Sequence, residues 1–93
     1  MPYEIALSNG LKNRKWKAKI WEKEGPESPH VSIIWKSTIW RWGLRERDFL
    51  DDQPPREQVP KELLEILEEQ INVLVTTWNT MHPYNLVWQE EDQ

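Results

Sequence analysis

Between residues 15 and 21 the chain alternates cleanly. Trp16, Ala18 and Ile20 point one way and Lys15, Lys17, Lys19 and Trp21 the other, which is the period of a strand with one apolar and one cationic face. Turn and stop signals punctuate the rest: "SNG" at 8–10, "EGPESP" at 24–29, "DDQPP" at 51–55 and "MHP" at 81–83. They separate "PYEIAL", "NRKWKAKIWEK", "HVSIIWKSTIWRWGL" and "PKELLEILEEQINVLVTTWNT", a strand-rich first half followed by a helix.

The third segment is too long for one ordinary strand, and it folds naturally as a hairpin about Lys36 and Ser37. That register pairs Trp35 with Thr38, Ile34 with Ile39, Ile33 with Trp40, Ser32 with Arg41 and Val31 with Trp42. It sorts Val31, Ile33, Trp35, Trp40 and Trp42 onto one face and His30, Ser32, Ile34, Ile39 and Arg41 onto the other, and a one-residue slip scrambles the sorting. The Lys-Ser turn lacks the Asn or Gly that two-residue hairpins prefer, so a longer loop of the same parity is an alternative.

The last segment opens at Pro60, suited to a first helical position, and Glu62 favours the positive end of the helix dipole; Pro83 forbids continuation. Leu63, Leu64, Leu67, Ile71, Leu74, Val75 and Trp78 share one helical arc, opposite Glu62, Glu65, Glu68, Glu69 and Asn72. Ile66 and Val73 widen the apolar arc to about 200°, more than one sheet contact needs. Either the tail with Tyr84, Val87 and Trp88 folds back over the extra strip, or the strip meets a partner or a second copy. The expected fold is α+β: a three- or four-stranded antiparallel sheet of hairpins packed on one long C-terminal amphipathic helix, about Pro60 to Thr80.

At 93 residues the chain is one small domain, spanning 1–93. Seven tryptophans supply large, rigid core pieces, and the lack of cysteine excludes disulfides, thiolate metal sites and cysteine nucleophiles. No basic region followed by an apolar run opens the chain and no stretch suits a membrane helix, so a soluble, cytoplasmic protein is expected. The net charge of −4 hides an asymmetry: residues 10–47 carry ten Lys or Arg against four Glu, and residues 48–93 carry two basic against eleven acidic residues. The halves either attract each other within the fold or present a basic face to phosphates, with acidic surface elsewhere.

Three stretches, "KIWEKEGPESPHVSIIW", "RDFLDDQPPREQVPKELLEIL" and "LVTTWN", carry a family resemblance. In this order they resemble the strand, polar loop, histidine strand, acidic turn and long helix of an uncharacterised prokaryotic family, domain of unknown function 4160, over about residues 17–80. Pro29, His30 and Val31 match the family's loop end, while its two closely spaced histidines are represented by His30 alone. That departure weakens any role requiring a histidine pair. The resemblance implies a toxin-antitoxin-like gene context without a mechanism.

The leading candidate site is the outer sheet face, where Lys15, Lys17, Lys19, Trp21 and Arg41 gather beside His30 and Ser32. Lysines neutralise phosphates and Trp21 or a guanidinium can stack a base at roughly 1–3 kcal/mol, as suits single-stranded nucleic acid. Alternating lysines also simply protect an exposed strand from aggregation. A second reading is a metal-independent ribonuclease toxin, with His30 as base or acid and Arg41 and Lys19 on the phosphate. Glu62, Glu65, Glu68 and Glu69, with Ile66 and Val73, are the candidate surface for a protein partner or for homo-oligomerisation; equally, the glutamates are a solvated helix exterior. No metal or cofactor is expected, because the histidines are not spaced as local ligands, "DFLDDQ" lacks a calcium-loop pattern and the glycines are isolated. A binding or regulatory protein of such a cassette is the leading function, with the nuclease and a structural subunit as alternatives.

Overall fold

A computed structural model describes residues 2–24 and 26–87. Five strands, β1 (Tyr3–Glu4), β2 (Trp16–Ile20), β3 (His30–Trp35), β4 (Thr38–Gly43) and β5 (Asp48–Phe49), form an antiparallel sheet whose spatial order is the sequence order. Three helices accompany it: α1 (Asn9–Asn13), α2 (Lys61–Glu69) and α3 (Ile71–Met81). The α+β class is as expected, but the sheet has five strands rather than three or four. The added ones are two-residue edges, too short to show any periodicity: Tyr3 and Glu4 pair with Ile20 and Lys19, and Asp48 and Phe49 with Gly43 and Trp42.

The β3–β4 register matches the sorting argument pair for pair, from Val31 opposite Trp42 to Trp35 opposite Thr38. Its loop is the bare Lys36–Ser37 pair, and Lys36 makes the turn by adopting φ 56°. A side chain in that left-handed region costs roughly 1–2 kcal/mol. The register therefore comes from burial of one face, not from turn chemistry.

The long helix is divided. Gln70, at φ −100° and ψ 15°, separates α2 from α3. Its N–H still donates to the Ile66 carbonyl at 3.1 Å, and its own carbonyl accepts from Leu74 at 2.9 Å, so the path kinks without becoming a loop. No proline or glycine marks the place. Both pieces face the core, which takes Leu63 and Leu67 of α2 and Leu74, Val75 and Trp78 of α3. These residues join Trp16, Ala18, Ile20, Val31, Ile33, Trp40 and Trp42 in one hydrophobic cluster. Within it Trp16 stacks on Trp35 with centroids 5.3 Å apart and packs against Trp40 at 5.6 Å. Of the sheet residues expected in the core, only Trp35 is left partly exposed.

The tail covers part of the helix. Val87 is buried, Tyr84 is fully exposed and Val73 keeps half its surface, so the described tail does not close the strip; Trp88 lies outside the described residues. Ile66 is half-buried.

Candidate nucleic-acid interface

The two ends of the sheet differ in character. At the end where β3 begins, the outer face is covered, contrary to the expectation that His30 and Ser32 face solvent: they are 0% and 2% exposed. Trp21 and Glu27, ahead of β3, are tied to the segment after α3. His82 donates through Nε2 to the Trp21 carbonyl at 2.8 Å, and Asn85 through Nδ2 to the Glu27 carbonyl at 2.6 Å. Trp78 donates through Nε1 to the Asn85 carbonyl at 2.6 Å. His30 donates from Nδ1 to the Ser28 carbonyl at 2.7 Å, and its ring lies 5.8 Å from Trp78, which in turn lies 3.9 Å from His82. An imidazole enclosed in this way supports packing and the segment ahead of β3, and is closed to a bound RNA hydroxyl while the cover is in place. Nothing local in the sequence signals the enclosure, because its partners lie 58 and 61 residues apart.

Arg41 is also committed. Its Nε and Nη2 donate to the two Asp51 oxygens at 2.8 and 2.7 Å, and Nη1 donates to Glu27 at 3.0 Å. The fork-to-carboxylate fit favours both charged forms. Hydrogen bonding to Asp51, with Glu27 beyond, holds the guanidinium still more firmly protonated; the guanidinium likewise holds the Asp51 carboxyl below its ordinary value. With two carboxylates against one cation, this corner offers no surplus positive charge to a phosphate.

The lysines are different. Lys17 is exposed and lies opposite Ile34, and half-exposed Lys19 lies opposite Ser32 with its ammonium 5.2 Å from the Trp21 ring. Ile39, 55% exposed, continues the row from Lys17 and Ile34. Lys15 is exposed in the turn before β2, at φ 73°. Among the described residues, Lys12, Lys15, Lys17, Lys19 and Lys36 form no ion pair with a carboxylate.

Three residues that the sequence reading did not assign to a site stand at the other end of the sheet. A cleft of about 640 Å³ is lined by Arg14, Lys15, Trp35, Lys36, Gln58 and Pro60, among others. Trp35 donates through Nε1 to the Arg14 carbonyl at 3.0 Å, and the Lys36 ammonium lies 4.4 Å from the Trp35 ring centroid. An ammonium over an exposed ring is worth about 0.5–1 kcal/mol. The signal for Arg14, Trp35 and Lys36 was present in the register: pairing Trp16 with Trp35 brings "NRK" and "WK" to one end.

The acidic helix face, Glu62, Glu65, Glu68 and Glu69, borders a separate groove of about 720 Å³ with Leu64 and Ile66. Among the described residues, two exposed, long contacts join it to the basic half, Arg14–Glu62 and Arg47–Glu68, each 3.9 Å. Attraction between the halves thus leaves most of both surfaces unneutralised. Among the described residues no group of three or more His, Cys, Asp or Glu could hold a metal ion, and no helix is long and apolar enough to cross a membrane. No family model, curated protein or solved structure matches the chain.

Proposed function

We propose that the protein is a non-catalytic binding module that holds single-stranded nucleic acid on its lysine-rich surface. The observation that carries this reading is the contrast in pairing: Arg41 is matched by Asp51 and Glu27, while the lysines on and around β2 have no carboxylate partner among the described residues. Unpaired ammonium groups beside exposed Ile39 and half-exposed Trp21 suit a backbone of phosphates with bases between them. The enclosed His30 favours binding over the ribonuclease reading, which needs that imidazole at a hydroxyl. The resemblance to the domain of unknown function 4160 family adds a setting, a regulator or inhibitor within a toxin-antitoxin-like cassette. The test is quenching of tryptophan fluorescence by single-stranded RNA or DNA. It is expected to weaken steeply with salt and to be largely lost in a Lys15→Gln, Lys17→Gln, Lys19→Gln variant; no binding at low ionic strength removes the reading.

A further inference from the structure

We infer that the cleft between the α1–β2 turn and the β3–β4 turn is where one base of that single strand stacks, on Trp35, with Lys15, Lys36 and Arg14 receiving the flanking phosphates. The inference rests on the proposed binding function and assigns it a place that the strand-face lysines alone do not.

Both turns that border the cleft put a lysine in the left-handed region, Lys15 at φ 73° and Lys36 at φ 56°. Glycine or asparagine takes that conformation with less strain, so the backbone does not select lysine at either position. Strained side-chain-bearing residues gather at functional sites, and here the two share one cleft and one charge.

Trp35 has Trp16 stacked on one side, nearly parallel at 14°, and the Lys36 ammonium near its ring. A base stacked on an aromatic ring is worth more than an exposed ammonium beside it, so a base displaces Lys36 and frees its charge for the adjoining phosphate. Trp35 is held for this by its N–H bond to the Arg14 carbonyl, which also fixes the turn that carries Arg14 and Lys15. Pro60, at the amino end of α2, lines the same cleft, where Glu62 of the first turn already shares the positive helix end.

The experiment uses the full chain, with fluorescence anisotropy of labelled oligo(dT), oligo(rU) and an abasic strand of equal length, at about 25 and about 200 mM salt. Lys15→Gly with Lys36→Gly is expected to raise the thermal midpoint while weakening oligo(dT) binding about tenfold or more, and to lower the salt slope by about 1.4, at about 0.7 per phosphate contact. A merely structural role for these lysines does not move stability and affinity in opposite directions. Trp35→Leu is expected to lose tenfold or more on oligo(dT) and little on the abasic strand, whereas Trp35→Phe retains most binding and controls for folding. Equal wild-type affinity for abasic strand and oligo(dT) overturns the stacking assignment. Unchanged binding in the cleft variants, with loss in Lys17→Gln, Lys19→Gln, overturns the cleft and leaves the strand-face reading standing. Absence of wild-type binding to every strand overturns both.

Discussion

Arg41 presents a planar fork of donors, and Asp51 and Glu27 between them fill three of its positions. Because Asp51 has a lowered carboxyl value in the folded protein, its contribution to stability is full above the ordinary unfolded value of about 3.9 and is lost as pH falls from there through the lower folded value. Asp51→Asn is therefore expected to lower the urea midpoint at pH 7 by an amount equivalent to at most about 1 kcal/mol, since both partners are more than a third exposed on their side chains. The difference from wild type should vanish as the pH is taken well below the ordinary carboxylate range; a gap that persists in acid refutes the pairing as its source. His30 belongs to a different regime, buried throughout and bonded to the Ser28 carbonyl. His30→Ala should cost about 2–4 kcal/mol in denaturant unfolding, from a cavity plus a lost partner for that carbonyl. Any activity lost in that variant must first be separated from lost structure. The strand register located both residues on the same face but not what surrounds them, because the His30 ring lies against Trp78, which no local pattern connects to it.

The elements themselves were legible wherever one face is buried over several residues. β2 alternates over its five residues, while β3 and β4 were legible from the pairing that sorts their tryptophans onto one face, since a one-residue slip would scramble that sorting. β1 and β5 escaped notice since two residues carry no period. The kink at Gln70 escaped for another reason: no proline or glycine marks it. Neighbouring positions on α3, about 100° apart around the helix, are strongly unequal. Val73 is 50% exposed and Leu74 is 0% exposed, so Val73→Ala is expected to stay within about 0.5 kcal/mol of wild type while Leu74→Ala costs about 2–5 kcal/mol. Similar costs at both sites, measured by urea denaturation, would contradict the orientation of α3. The Trp35 cleft was half-legible: the register brings its residues to one end, yet the same register marks Trp35 as core, and its position as the last residue of the central strand, beside the turn, leaves it partly open.

At the scale of the whole molecule, charge is segregated and not cancelled. The cationic end collects Arg14, Lys15 and Lys36, the acidic face of α2 collects four glutamates, and the direct bridges from Arg14 and Arg47 to that face are long and exposed. Contacts of that kind contribute little, so Arg14→Gln with Arg47→Gln should change folding stability by less than about 1 kcal/mol. A larger loss in thermal or chemical unfolding would mean that the fold depends on attraction between its halves. Segregated charge of this sort serves orientation of an approaching polyanion more than cohesion of the chain.

The clasp at the other end of the sheet also has a consequence in time. The β3–β4 hairpin needs only two residues between its strands and closes in about 1–10 μs. The bond from Asn85 to the Glu27 carbonyl must wait for the 42 residues from Gly43, where the hairpin ends, to Asn85, which at about 5–20 residues per second takes about 2–8 s of synthesis. A chain still on the ribosome thus carries a finished hairpin with His30 uncovered for seconds, long enough to meet chaperones, proteases or a partner that the completed protein no longer admits at that end.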